Sequence, residues 1–293
     1  MKIAVVTDSS SDIYDLKEAI PGIYGLPLQI LSGDDTYLDG ETIDRNKTFD
    51  MLEEGHLFST SLPPLSRAEE LFEQLKAEGY DLIFGINLST GLSGTTQALN
   101  TAASNVGIDF DYFDLYSGGE ILLTYAKAAR VMFDKGFTVE QAKERLAEAR
   151  DHSATYILPD NLKHLMKSGR LSPAASILGG LLKIKPVLYL GQETGGKLEP
   201  VSKPRTMNRA IKDVFDRFME AGIDKDYIVY VVHVRNEEYA NKLRDMIVEK
   251  VDGVEIYVKE LVTAVAIHVG LGGLASQYTK KINVDWLRLK SWS

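Results

Sequence analysis

The sequence predicts an α/β fold of two closely packed domains. Three observations carry this: short apolar runs that recur along the chain, helical periodicities between most of them, and no linker rich in proline or serine to separate the halves. Ile3 to Val6 is a continuous apolar, largely β-branched run bounded by polar residues, which suits a strand buried on both faces of a parallel sheet. A helix is expected after it. Comparable runs follow at Leu82 to Leu88, Phe110 to Leu115, Tyr156 to Leu158, Val187 to Leu190 and Tyr227 to Val232. One helix opens with Thr138 and Gln141 in capping-box spacing and runs toward Arg150. A second starts near Thr206, where Met207, Ala210, Ile211, Val214, Phe215 and Phe218 repeat at three and four residues until Gly222 stops it. The change of pattern near Asp151 divides the chain into an N-terminal parallel-sheet α/β domain, 1–151, and a C-terminal α/β domain, 152–293.

The chain has 293 residues, 44% of them hydrophobic, enough for two ordinary cores. Its net charge of −9 opposes nucleic-acid binding over much of the surface. With no cysteine, neither a disulfide framework nor a thiolate metal site can form. Polar residues follow the first short apolar run at once, unlike a signal peptide, and no uninterrupted apolar stretch reaches the roughly 18 residues of a membrane span. The expectation is a cytoplasmic protein without an integral membrane segment.

Two polar constellations sit where a buried strand gives way to a loop. Thr7-Asp8-Ser9-Ser10-Ser11-Asp12 is placed where open α/β sheets form ligand crevices, and the same residues also serve as ordinary caps and turn formers. Ser89-Thr90-Gly91-Leu92-Ser93-Gly94-Thr95-Thr96 precedes a helical stretch from Gln97 to Asn105. Orphan N–H groups, glycines and hydroxyls there suit a carboxylate or phosphate; a well-capped loop with nothing bound is the plainer alternative.

Other chemistries fit less well. Gly91-Leu92-Ser93-Gly94-Thr95 lacks the final glycine of a hydrolase elbow, so an α/β hydrolase acting on acyl esters through Ser93, with His268 as base, is an alternative carried by residue types alone. Gly270-Leu271-Gly272-Gly273-Leu274-Ala275 matches a dinucleotide fingerprint in form, but too little chain follows for the rest of that unit. The histidines show no zinc spacing, and there is no phosphate-binding G-x-x-x-x-G-K-[ST] loop. No metal or cofactor is expected. A binding module for another small anion stays open. His268 interrupts an apolar run, Val265 to Val269, and is expected to project from a strand.

Five motifs in order resemble the DegV family of bacterial fatty-acid-binding proteins. They are Thr7 to Asp12, Thr60-Ser61-Leu62-Pro63, Leu92-Ser93-Gly94-Thr95, Gly169-Arg170 with Lys185-Pro186, and His268 in its glycine-rich turn. Within them Leu62 and Pro64 stand where the family usually has Gln and Ser. The resemblance implies a non-catalytic carrier with one long-chain fatty acid, as ligand rather than cofactor, buried between the two domains. It implies that Thr60 and Ser93 grip the carboxylate, with Arg205 and His268 in the same head-group region. Ser61, Gly94, Thr95, Asp8 and Ser9 are expected around it. Arg170, in a loop read from Ser168 to Pro173, is implied as a docking point for a partner, a fatty acid kinase, which would phosphorylate the bound carboxyl group.

Overall fold

The computed structural model describes residues 1–160, 162–171, 184–282 and 284. Strand β1, Ile3–Asp8, is buried along its whole length, because it lies inside a parallel sheet of order β2-β1-β6-β7. The segment after it is one 3-10 turn, Asp12–Asp15, leading into β2, Ile23–Leu26, and not the expected helix. Asp8 ends the strand by accepting hydrogen bonds from Ser10, so the chain turns there before a helix can start.

A three-stranded antiparallel sheet that the apolar runs did not announce comes next: β3, Gln29–Ser32, β4, Asp35–Leu38, and, after helix α1, Arg45–Glu53, β5, Phe58–Ser61. Helix α2, Leu65–Ala77, returns the chain to the first sheet at β6, Leu82–Gly85. Helix α3, Thr95–Val106, and β7, Asp109–Tyr112, complete that sheet. Both β6 and β7 are shorter than the apolar runs around them, whose C-terminal ends become loops over the sheet edge.

Helix α4, Glu120–Asp134, is buried on nearly every side. It packs on β1 and β2 and also meets the C-terminal half of the chain. Helix α5, Val139–Arg150, carries the full Thr138/Gln141 capping box. Then β8, Ser153–Leu158, opens a second sheet. Helix α6, Lys163–Ser168, ends at Gly169; Ser172 and Pro173 of the loop read around Arg170 lie outside the described residues. The sheet continues with β9, Val187–Leu190, and β10, Glu199–Ser202. Helix α7, Met207–Glu220, shows the predicted stripe, with Thr206 accepting from the Arg209 amide at its start. After it come β11, Tyr227–His233, helix α8, Glu237–Lys250, and β12, Glu255–Glu260. Helix α9, Thr263–Val269, and β13, Leu274–Lys280, close the fold.

The second sheet has the order β10-β9-β8-β13-β11-β12 and is mixed: β11 and β12 are parallel, the other pairs antiparallel. Alternation of side chains gives it two different faces. Tyr156, Leu158, Val187, Leu274 and Tyr278 join the buried stripe of α7 in one core. Ile157, Leu188, Leu190 and Ala275 point the other way, into a core shared with α1, α9 and the three-stranded sheet.

Candidate functional site

On that second face the side chains do not fill the space. A cavity lined by residues of both halves remains there. Its walls are mostly aliphatic: Leu28 and Leu92 from the N-terminal half, Ile157, Leu190 and Ala275 from the second sheet, and Leu261, Val265 and Val269 at α9.

One end is polar. Thr60, held on β5 opposite Ile30 of β3, places its Oγ1 3.0 Å from Nε2 of His268. His268 stands on α9 and not on a strand; the run Val265 to Val269 coils into helix because Gly270, at φ +80°, can end it. A Cβ at Gly270 would lie 2.8 Å from Cδ2 of His164, so the turn also needs a glycine to close on α6. Burial, reinforced by the nearby Arg170 and His164, pushes the His268 pKa down to about 3, so the ring is neutral near pH 7. Its Nδ1 has no hydrogen-bond partner among the described residues.

Arg170 also lines the cavity, with Nη1 donating 2.7 Å to the Ser168 carbonyl. The docking role implied by the sequence therefore meets an observation that aims the residue inward. Ser93 lines both this cavity and an outer groove that includes Gly94. Its Oγ lies 2.8 Å from Oγ1 of the buried Thr95 and accepts from the Thr95 amide at 3.2 Å. Ser61 lines the cavity beside Thr60.

Five expected residues do not line the cavity: Gly94 and Thr95 beside Ser93, and Arg205, Asp8 and Ser9, which sit elsewhere. Arg205 is exposed on the loop before α7 and does not line the cavity; the Thr206 cap fixes that loop on the outer side of the sheet. Asp8 and Ser9 are buried beneath the site rather than in it. Asp8 Oδ2 accepts from the Leu88 amide at 2.9 Å, and Ser9 Oγ from the Leu28 amide at 3.0 Å. Leu88 and Leu28 both line the cavity, so this motif braces the wall. Burial holds the Asp8 pKa above its ordinary value.

Sequence reasoning missed Gln277, Thr155 and His164. The first two line the cavity, and the signal for Gln277 lay in β13, where Ser276, Gln277 and Thr279 sit within a buried strand. The hydrolase alternative finds no assembled triad: Ser93 Oγ pairs with Thr95, His268 Nε2 pairs with Thr60, and among the described residues no carboxylate hydrogen-bonds the ring. Among the described residues no group of three or more His, Cys, Asp or Glu is placed to hold a metal, and no helix is long and apolar enough to cross a membrane.

A family model described as "uncharacterised protein, DegV family" matches residues 2–281. Protein DegV of Bacillus subtilis is 31% identical over 278 residues, which cover 94% of this chain and 98% of that protein. Two crystal structures share the architecture. A fatty acid binding DegV family protein from Streptococcus agalactiae aligns with a TM-score of 0.85 at 27% identity, covering 96% of this chain and 99% of that one. DegV of Bacillus subtilis, described as a fatty acid binding protein, aligns at 0.82 with 30% identity, covering 96% and 100%.

Proposed function

We propose that this chain, which belongs to the DegV family, holds one long-chain fatty acid in the cavity between its sheets and presents the carboxyl end to a fatty acid kinase. The observation that carries the reading is a mostly aliphatic cavity whose polar lining includes Thr60, Ser93, His268 and Arg170. Binding of a fatty acid by two similar DegV proteins supports it. In this reading the carrier acts in the cytoplasm and catalyses nothing itself. Residues 1–151 and 152–293 are its two domains, a division supported by sheet membership, since every strand of the first sheet precedes Tyr112 and every strand of the second follows Arg150.

The tail supplies most of the affinity. A sixteen-carbon acid would bury about fourteen methylenes, a gross transfer term on the order of 11 kcal/mol. Hydrogen bonds to the charged head add only about 1.5 to 3 kcal/mol each, but a carboxylate buried without donors would cost far more. The head-group residues act by avoiding that penalty. A neutral His268 donating from Nε2 to Thr60 Oγ1 leaves the threonine hydroxyl hydrogen free for the carboxylate. Ser93 offers a second hydroxyl, and Arg170 is the cation that offsets the buried negative charge. Arg205 is too exposed to share this role. Acyl phosphate formation needs nucleotide and metal, for which the sequence shows no binding loop, hence a separate kinase.

Thr60→Val combined with Ser93→Ala tests the clamp. The double variant is expected to fold and to lose bound fatty acid or kinase-dependent carboxyl phosphorylation by about a hundredfold, the worth of two lost charge-assisted hydrogen bonds. Organic extraction and mass spectrometry of the purified protein read the first quantity, and a coupled kinase assay the second. Wild-type values of both would remove the clamp. A different small anion in the wild-type extract would favour the anion-binding alternative.

A further inference from the structure

The lining of the cavity is buried almost throughout, with a break at one short segment. Among the described residues that line it, Ser61 and Leu62 alone are exposed, Leu62 at 37%, whereas Ile157, Leu190 and Ala275 of the second sheet are buried. A residue that borders both the cavity and the solvent stands at an opening. Ser61 and Leu62 follow Thr60 directly, so this opening lies beside the hydroxyl that pairs with His268. Thr60 and Leu62 are two residues apart on an extended chain and face the same side.

Both rims of the opening are held by their backbone. On one, Gln29 pairs with Ser61 across β3 and β5, and its Nε2 donates to the Leu62 carbonyl at 2.8 Å. Pro63 follows and confines Leu62 to extended backbone. On the other, the Ser93 amide donates to the Ser89 carbonyl at 3.0 Å, and Ser93 Oγ accepts from the Thr95 amide. The Leu62 side chain reaches across to this second rim and meets a glycine there. A Cβ on Gly94 would lie 3.8 and 3.9 Å from the two Leu62 methyl carbons and within 4 Å of nothing else beyond its chain neighbours. Gly94 thus leaves the leucine room to turn. Its φ of −82° is one that alanine adopts without strain.

We propose that Leu62 is the movable cover of the cavity mouth, closing against Gly94, and that this contact governs how fast an acyl chain enters and leaves. This rests on the fatty-acid reading above. The rims stay in place while the leucine side chain swings aside. A cover resists passage in both directions, so it changes association and release together; a wall contact holds only the bound ligand and changes release alone.

Stopped-flow mixing with cis-parinaric acid, a fluorescent long-chain fatty acid, measures association, and displacement by excess oleic acid measures release. Leu62→Ala is expected to raise both rate constants by about three- to tenfold and to leave their ratio nearly unchanged. Gly94→Ala places a methyl group in ordinary contact with Leu62 and is expected to slow both by about twofold. In the Leu62→Ala background that second effect should vanish, as coupling through direct contact requires. Leu65→Ala removes a leucine that is 41% exposed but does not line the cavity, and wild-type rates are expected. Wild-type rates in Leu62→Ala would overturn the proposal, because the chain would then pass elsewhere. Faster release with unchanged association would overturn it too, making Leu62 a wall contact, as would a Gly94→Ala effect that persists without Leu62. A wild-type protein that takes up no cis-parinaric acid would overturn the carrier reading instead.

Discussion

The two faces of the six-stranded sheet are built from alternate residues of the same strands, yet one is filled and the other is hollow. On the filled face Phe218 of α7 sits against Tyr156 and Tyr278, ring centroids 5.9 and 4.9 Å away, with the Tyr278 contact edge to face. On the hollow face the corresponding positions are Ile157, Ala275 and Gln277, and the aromatic bulk is absent. The contrast shows how one sheet divides its work: helices α7 and α8 secure it from one side, which allows the other side to remain incompletely packed.

Substitutions can break that division in order of their expected effect on stability. Phe218→Ala, at a position with no solvent exposure, is expected to cost about 3 to 5 kcal/mol in urea denaturation while the fraction that remains folded keeps its lipid. Loss of lipid at unchanged stability would mean that the faces are not independent.

Glu120 sharpens the comparison at the seam between the halves. Burial raises its pKa from 4.5 to about 7, against the lowering influence of backbone N–H groups and Arg45. The folded state therefore binds this proton more tightly than the unfolded state. The resulting stabilisation is full below pH 4.5 and disappears as the pH rises through 7. Glu120→Gln imitates the protonated form, so it should leave stability unchanged near pH 4 and raise it by about 3 kcal/mol near pH 8. Equal denaturation midpoints for the two proteins at the higher pH would show that the carboxylate finds compensation there.

The smallest change in stability is expected from Ala275→Leu, under about 1.5 kcal/mol, because the added carbons enter space that is already empty. Its effect on function should be large, with bound fatty acid reduced to a trace in the extract. Retention of a normal complement would place the ligand away from this wall.

Much of this arrangement was legible in the sequence where local chemistry decides the outcome. The Thr138/Gln141 cap, the stripe of α7, the buried β1 and the pairing of Thr60 with His268 in one site all follow from residue patterns or motifs. The three-stranded sheet was not legible, because four-residue strands such as Asp35–Leu38 carry too little alternation to stand out. His268 was placed on a strand because Val265, Ile267 and Val269 favour β structure; packing against α6 and β5 overrides that preference. The resemblance implies Arg170 as a docking point, and the fold places it along the cavity. Gln277 and Thr155 acquire meaning through strand register, which joins residues 122 apart.

Helix α4 has one more consequence. It contributes to the same apolar cluster as β1, β6 and α5, and it also reaches the second sheet, with Tyr125 hydroxyl 2.9 Å from Thr279 Oγ1 on β13 and Thr124 Oγ1 2.6 Å from the Tyr230 hydroxyl on β11. A segment embedded in both lobes cannot be released by one without stripping cover from the other. The lobes are expected to melt as a single cooperative unit, with the α4 amides among the last to exchange in hydrogen–deuterium exchange. If the cavity takes up a lipid as proposed, entry must then be through the periphery, since α4 belongs to both lobes.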